Sequence, residues 1–326
     1  MEKEELLIEI ASLYYYEGLT QSEIAEKFGI SRSNISRLLK EARYRGIVEI
    51  KIKQKIPLDY DLQREITSKF SLKDARIVKS TELSYHEMLK KLGTVAARYL
   101  KAILNNATIV GISWGTAIYE LVNSFEPEVY KDIEIIQMIG GIGAENPDID
   151  GTELARRLAE KVSGRYRYLH APLIVESADI KRAMIQERNV KDTLERVKKA
   201  DVAIVGIGST NPNVSSLIRA GYLNKKELSE IKKLGAIGDV CAKHFDMYGN
   251  LCQINLNERV IGINIEELKK INYVIGIAGG KVKASAILGV LRGGYINVLI
   301  SDDQAISEVL KLNDILRIGD LNEIYS

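Results

Sequence analysis

Residues 20–45 read TQSEIAEKFGISRSNISRLLKEARYR, and this pattern predicts a helix-turn-helix. Ile24 and Phe28 share one face of a short first helix, and Gly29 permits the sharp turn after it. A second helix is predicted to begin at Ser31. Apolar residues recur along it at intervals of three and four, and they are Ile35, Leu38, Leu39 and Ala42. The two helices are therefore expected to cross around a small apolar core.

The outer face of the second predicted helix carries hydrogen-bond donors and cations. Residues 31–55 hold eight basic and two acidic residues, although the net charge of the whole chain is only +2. Because such a helix reaches base edges through its N-terminal residues and phosphates through its cations, this face is predicted to bind double-stranded operator DNA. The predicted contacts are Gln21, Ser31, Arg32, Ser33, Asn34, Ser36, Arg37 and Lys40. The alternative interpretation is a helical hairpin whose basic face is merely solvated.

Elements on both sides complete the predicted DNA-binding domain, residues 1–55. Before the motif, apolar residues from Leu6 to Tyr14 recur at helical spacing, and after it residues 47–53 alternate as a strand would. This strand is a candidate wing. Its lysines either contact the DNA backbone or keep an exposed edge from aggregating, and the pattern leaves both interpretations open.

Composition excludes several classes of protein. The length of 326 residues predicts two domains, and 46% hydrophobic with 28% charged residues is typical of a globular protein. No apolar run of about eighteen residues and no signal-peptide pattern occurs, so we expect a cytoplasmic protein without membrane contact. Cys241 and Cys252 are expected to be reduced packing residues, and the spacing of cysteines and histidines predicts no metal site and no cofactor.

A polar stretch ending in Pro57 predicts a linker at residues 53–57 and a second domain at residues 58–326. Strands are predicted there at residues 76–78, 108–112, 133–137, 166–169, 202–207, 273–277 and 296–300. Helices are predicted at residues 88–103, 152–162, 180–199, 226–234, 284–291 and 303–310. This alternation predicts an α/β domain with a mostly parallel sheet covered on both faces.

Glycine-rich loops follow several predicted strands, at residues 111–116, 140–143, 206–210 and 279–281. In open α/β sheets ligands bind beyond the carboxyl ends of the strands, where glycine lets the backbone approach a phosphate. Lys281 adds a positive charge. We expect it to bind this phosphate from the side opposite the loops at residues 115–116 and 208–209. The sequence lacks the P-loop and dinucleotide glycine patterns, so a nucleotide is not favoured.

Other residues near these loops admit two interpretations each. Asp239 either hydrogen-bonds sugar hydroxyls or caps a helix over residues 240–245. For Asp246 a role in stabilising a turn is favoured over ligand contact. Trp114 either walls a sugar ring or anchors the core.

Motifs run along nearly the whole chain in a specific order. After the helix-turn-helix come GISWGT (111–116), the glycine pair 140–141, ADVAIVGIG (200–208), GAIGD (235–239), AGGKVKASAI (278–287) and LRGG (291–294). In this combination the chain resembles the SorC family of bacterial transcriptional regulators. The resemblance implies a C-terminal effector domain similar to the phosphosugar isomerase and coenzyme A transferase fold, a phosphorylated sugar as effector, and a homo-oligomer, either dimer or tetramer. Loops and resemblance together predict effector contacts at Gly115, Thr116, Gly140, Gly141, Gly208, Ser209, Asp239 and Lys281.

One departure from the family concerns covalent binding. Some members that respond to deoxyribose phosphate carry a lysine, just before the double glycine, that forms a Schiff base. Met138 and Ile139 occupy that stretch here, so covalent capture is not expected at this position.

The leading hypothesis is therefore a regulator in which a bound effector favours one arrangement of subunits and so changes the spacing of the DNA-reading helices. An alternative from another class is a phosphosugar isomerase or aldolase with a DNA-binding arm. Asp239 is its candidate base, but no paired acid/base motif stands out, and no catalytic residue is assigned. An interaction scaffold without a ligand leaves the glycine loops unexplained.

Overall fold

A computed structural model describes residues 3–48, 56–143 and 147–324, with side chains described as far as residue 316. The chain divides into two compact units, residues 1–55 and 56–326. Of the predicted linker, residues 53–55 lie outside the described residues.

The first unit consists of three helices within its described residues, α1 (Lys3–Tyr15), α2 (Gln21–Phe28) and α3 (Arg32–Tyr44). Thr20 and Glu23 form a reciprocal capping box at the start of α2. Gly29 ends α2 with a φ of 64°, the left-handed conformation that lets the chain turn sharply. Ser31 then caps α3, accepting a hydrogen bond from the Asn34 amide at 3.3 Å. The predicted helix-turn-helix is confirmed.

The core of this unit is the predicted apolar stripe. Ile10 of α1, Ile24 of α2 and Ile35 of α3 are fully buried against one another in a single cluster. Ile47 and Val48 also pack against this cluster. The rest of the candidate wing, residues 49–53, lies outside the described residues.

The second unit is built on one twisted sheet. Within the described residues its strands are β1 (Asp74–Val78), β2 (Ile109–Ile112), β3 (Glu134–Gln137), β4 (Arg165–Arg167), β5 (Val202–Ser209), β6 (Gly238–Val240), β7 (Lys243–Phe245), β8 (Tyr273–Ile277) and β9 (Val298–Asp302). The order is β1-β9-β8-β5-β2-β3-β4, and all these neighbours are parallel. The hairpin β6–β7 joins antiparallel to the end of β5. The predicted mostly parallel sheet is confirmed.

Helices cover both faces of this sheet. They are α4 (Tyr60–Lys69), α5 (Tyr85–Ile103), α6 (Thr116–Ser124), α7 (Gly151–Lys161), α8 (Ala178–Met184), α9 (Arg188–Val197), α10 (Ser216–Arg219), α11 (Lys225–Lys233), α12 (Asn255–Arg259), α13 (Ile265–Leu268), α14 (Ala284–Arg292) and α15 (Asp303–Ile324). Along β5, Val202 and Ile204 point into one apolar layer, and Ala203 and Val205 into the other. No helix of the described ranges is long and apolar enough to span a membrane.

The prediction of one helix over residues 180–199 is wrong. The structure has two helices there, because α8 ends at Met184 and the backbone is extended at Glu187, with a ψ of 133°. The halves pack on different partners, α8 on α12 and α9 on β3. No glycine or proline marks the break, so the helical period of the sequence runs across it.

The strand order creates a crevice in the middle of the sheet. From β2 the chain proceeds through α6 to β3 and through α7 to β4, toward one edge. From β5 it proceeds to β8 and β9, toward the other edge. The carboxyl ends of the neighbouring strands β2 and β5 therefore form a topological switch point, where the following loops diverge and leave room for a ligand.

Candidate functional site

A pocket lies at this switch point, and we call it the strand-end pocket. Its walls are residues 113–117 after β2, residues 206–208 at the end of β5, and residues from α10, the β6–β7 hairpin and the start of α14. Of the predicted effector contacts, it contains Gly115, Thr116, Gly208 and Asp239. The free space within it is narrow, about 30 Å³.

The start of α6 forms one wall of the strand-end pocket. Gly115 is its N-cap residue, with a φ of 115° that a residue with a side chain rarely adopts. Among the described side chains, none caps this helix start. Its first backbone N–H groups therefore carry the partial positive charge of the helix dipole without a side-chain acceptor, an arrangement that binds anions.

Lys283 lies in the strand-end pocket, and Lys281, which was predicted to lie there, does not. Residues 281–283 form a short 3₁₀ turn, in which residues two positions apart point in different directions. Lys281 is exposed and lines a separate open cleft with Asp59 and Asp303. Lys283 points inward, and its Nζ donates to the Ile207 carbonyl oxygen at 2.7 Å. Burial lowers the pKa of the Lys283 amine to about 8, although the Asp239 carboxylate opposes this shift.

Asp239 lies on the opposite wall of the strand-end pocket and is buried. Burial raises the pKa of its carboxyl, which His244 and Lys283 oppose by favouring the charged form. The carboxylate fits only because residue 208 is glycine, since a Cβ there would lie 1.9 Å from Oδ1 of Asp239. The alternative of a helix N-cap is wrong, because residues 238–245 form the hairpin β6–β7.

The turn of this hairpin has unusual backbone geometry. Cys241 and Ala242 both have positive φ, 51° and 59°. Such a two-residue turn matches the twist of the flanking strands, but it is normally made with Asn or Gly, since a Cβ disfavours this conformation. Both residues line the strand-end pocket. Backbone strain at this position is therefore part of the pocket wall.

Arg219 and Lys283 are pocket residues that sequence reasoning missed. Arg219 is at the end of the four-residue helix α10, and no glycine loop or strand end marks it. The sequence does offer a hint for Lys283, because it is a second lysine of the segment that contains Lys281, two residues further on. Trp114 is 7% exposed within the core and also lines the pocket, so core packing is confirmed and contact with a sugar ring stays a prediction.

The remaining predicted effector contacts lie outside the strand-end pocket. A Cβ at Gly140 would lie 2.3 Å from the Pro172 carbonyl oxygen, so this glycine serves close backbone packing. Gly141 forms a β-bridge to Pro172. The Ser209 hydroxyl accepts from the Asn211 amide at 3.2 Å. Asp246 stabilises a turn as predicted, accepting from the amides of residues 248 and 250.

Other predicted features can be located as well. Cys241 is buried and Cys252 partly buried, and both are free thiols. Among the residues that the structure describes, no cluster of His, Cys, Asp and Glu could hold a metal ion.

The predicted DNA contacts lie at the start of α2 and along α3. Gln21 begins α2, Ser31 caps α3, and the others follow along α3. Gln21 and Ser36 are partly buried, and the other predicted contacts are exposed. The Arg37 guanidinium donates to the Asn34 side-chain oxygen at 3.3 Å, a long contact that leaves the arginine available to a partner.

Known proteins share both units. A family profile described as "Putative sugar-binding domain" matches residues 54–311, and one described as "Sigma-70, region 4" matches residues 9–45. The deoxyribonucleoside regulator of Bacillus subtilis (strain 168) is 35% identical over 302 residues, 92% of this chain and 96% of that protein. The sorbitol operon regulator of Klebsiella pneumoniae is 31% identical, over 94% of this chain and 98% of that protein.

A solved structure agrees with these sequence matches. The crystal structure of the full-length sorbitol operon regulator SorC from Klebsiella pneumoniae has a TM-score of 0.74 at 30% identity, covering 94% of this chain and 98% of that one. A helix-turn-helix followed by a sugar-binding α/β domain is the domain organisation of a transcriptional regulator. The chain belongs to the SorC family of such regulators.

Proposed function

We propose that this regulator binds operator DNA through α3 and that a phosphorylated sugar in the strand-end pocket controls this binding. The observation that carries the proposal is the meeting of an uncapped helix start, the cations Lys283 and Arg219, and the Asp239 carboxylate at the switch point of the sheet. Helix N–H groups and cations attract a phosphate, and a carboxylate accepts hydrogen bonds from sugar hydroxyls.

The narrowness of the strand-end pocket adds a condition to the proposal. A free space of about 30 Å³ holds only one or two water molecules, so binding a sugar phosphate requires side chains around the pocket to move. The long side chains of Arg219 and Lys283 are the walls that can rotate. A phosphate would replace the Ile207 carbonyl as partner of the Lys283 amine and would keep that amine protonated.

The domains and the assembly are part of the same proposal. Residues 1–55 would act as the DNA-binding domain, and residues 58–326 would bind effector and form a dimer or tetramer, so that two half-sites are engaged together. The protein would act in the cytoplasm, where the DNA lies. Relatives named for a sorbitol operon and for deoxyribonucleosides make polyol and pentose phosphates the first effectors to test.

Calorimetry on a matched pair of lysine variants tests the effector site. The ligands are deoxyribose 5-phosphate, sorbitol 6-phosphate and the two free sugars. We expect the phosphates to bind more tightly than the free sugars and Lys283→Met to weaken them about ten- to a hundredfold, the effect of losing a charge-assisted hydrogen bond. Lys281→Met, two residues away, should bind them within about twofold of wild type. Equal affinity for free and phosphorylated sugars, or a larger effect of Lys281→Met, would contradict the assignment.

A second pair of variants tests the reading helix. Arg37→Ala should cost about 1–3 kcal/mol in specific binding and relax the preference at one base pair, if Arg37 pairs with a guanine. Lys40→Ala should weaken all DNA sequences alike, because a phosphate contact carries no sequence information. Unchanged affinity and preference in Arg37→Ala would exclude this placement of α3 in the groove.

A second candidate function is a phosphosugar isomerase or aldolase. One observation favours it: the Asp239 carboxylate acts on the Lys283 amine, whose pKa is lowered to about 8. A lowered pKa is a property of lysines that react with carbonyl groups. The relatives are named as regulators, and we expect no turnover. Incubation of the phosphates with wild type and Asp239→Asn decides the matter, since catalysis requires turnover that the variant loses.

A further inference from the structure

A second cavity lies where the break between α8 and α9 faces β7 and residues 262–264. Its volume is about 380 Å³, and we call it the lysine cavity. It shares no lining residue with the strand-end pocket. The residues that matter here are Lys181, Lys191 and Lys243, with Ile185, Leu194 and Ile263 as the apolar wall.

Lys243 lines the lysine cavity and is positioned by contacts with Asn257. Asn257 of α12 clamps strand β7, because its Oδ1 accepts from the His244 amide at 2.8 Å and its Nδ2 donates to the His244 carbonyl at 2.9 Å. The Lys243 amine itself donates to the Asn257 carbonyl oxygen. This leaves other donors of the ammonium group free to hold a ligand at a fixed place.

Four lysines and one carboxylate, Glu195, line this cavity. Glu195 is paired with Lys198 at 2.6 Å. Within the described ranges, no carboxylate lies within ion-pair distance of Lys181, Lys191 or Lys243.

The titratable groups that act on Lys243 come from α8, the hairpin turn and α12. They are Lys181, Cys241 and Glu258. Burial and the neighbouring Lys181 lower the pKa of Lys243 to about 7. A bound anion would remove this repulsion between the two amines.

We propose that the lysine cavity is a second ligand site, which binds a small organic anion through Lys181 and Lys243 and holds its apolar portion against Ile185, Leu194 and Ile263. The anion is a phosphate or carboxylate on an apolar group, because the cations lie beside an apolar wall. This site does not depend on the function proposed for the strand-end pocket.

Calorimetry with phenyl phosphate on the full chain tests this site. We expect Lys181→Met and Lys243→Met each to weaken binding about tenfold or more, since each removes one charge-assisted contact. Lys199→Met carries the same change in net charge just after α9, outside the cavity, and should change affinity by less than about twofold. Lys283→Met should leave this binding intact, which separates the lysine cavity from the strand-end pocket. Because Lys181 and Lys243 are both partly buried, thermal unfolding of each variant serves as a folding control, and the two variants give independent tests.

A comparison of ligands completes the experiment. Phenyl phosphate should bind at least about fivefold more tightly than inorganic phosphate, because the apolar wall is then covered. At pH 7.5, calorimetry in two buffers of different ionisation enthalpy should detect proton uptake that Lys243→Met abolishes. Absence of phenyl phosphate binding, its loss in Lys283→Met, or full binding by Lys181→Met would overturn the inference.

Discussion

The strand-end pocket and the lysine cavity each contain a lysine amine whose pKa is lowered, but the two sites are built differently. In the narrow strand-end pocket the backbone at the ends of β2 and β5 makes the site, and the Lys283 amine has the Asp239 carboxylate as a partial counter-charge. In the roomy lysine cavity side chains of two helices and a hairpin make the site, and cations face each other. The difference shows that chain topology fixes one site and tertiary packing of side chains fixes the other.

The largest expected effect comes from filling the space beside Asp239. In Gly208→Ala the new Cβ would lie 1.9 Å from Oδ1 of Asp239, so the carboxylate must move. We expect phosphosugar binding to fall on the order of a hundredfold and the free energy of unfolding to fall by about 1–3 kcal/mol. Phenyl phosphate binding to the lysine cavity should be preserved.

Gly206→Ala is the matched control for this change. It lies on the same strand, but its Cβ would meet only the Trp114 carbonyl oxygen, at 3.5 Å, which is an ordinary contact. Its unfolding free energy should remain close to that of wild type. Equal destabilisation in both variants would mean that β5 tolerates a side chain at neither position. The contact with Asp239 would then not be the cause of the lost stability.

The two cavities should also lose their anions in different pH ranges. Above the pKa of the binding amine, each pH unit should reduce anion affinity by up to about tenfold, because the amine must first be protonated. For phosphosugar the decline should begin near pH 8, the pKa of Lys283, and for phenyl phosphate near pH 7, the pKa of Lys243. Titration calorimetry from pH 6 to 9.5 measures both. Identical profiles would show that both ligands use the same amine.

Stability should depend on pH through the same lysines. Because the pKa of each amine is lower in the folded than in the unfolded chain, the folded state binds fewer protons between the two values. The free energy of unfolding should therefore gain about 1–3 kcal/mol from each lysine as the pH rises from 7 to 10. In Lys283→Met and Lys243→Met this rise should be smaller. Urea unfolding at several pH values measures the difference, and an unchanged slope would mean that the lysines titrate normally.

The smallest expected effect concerns the hairpin whose residues line both cavities. Ala242→Gly should raise the free energy of unfolding by roughly 0.5–1 kcal/mol, because glycine adopts a φ of 59° without steric cost. Phosphosugar affinity should change by less than about threefold, since the Ala242 side chain is only a methyl group. A loss of stability would indicate that the turn is not strained.

Sequence reasoning predicted the features that local pattern and topology determine. The turn at Gly29, the apolar stripe of α3 and the parallel sheet were all correct, since each depends on periodicity or on one turn residue. Of the pocket, Gly115 and Asp239 were identified through their place at strand ends or in glycine-rich segments.

Side-chain direction in irregular segments was not predictable. Lys281 and Lys283 are two residues apart in one 3₁₀ turn, and only the packing of that turn decides which of them points inward. Arg219 comes from a helix too short to leave a period in the sequence. The lysine cavity depends on the break between α8 and α9, which no residue type marks.

The pairing of β1 has a consequence for biosynthesis. Among the described strands β1 pairs with β9 alone, with Asp74 opposite Val298. The first strand of the unit therefore cannot pair in the sheet until the last strand has been made. On the ribosome, β1 emerges long before β9 has been translated, and the backbone N–H and C=O groups that face β9 stay without partners in the meantime. Nearly the whole chain must therefore be made before this sheet is complete. A premature stop ahead of Val298 would release a product whose unpaired β1 edge is open to aggregation.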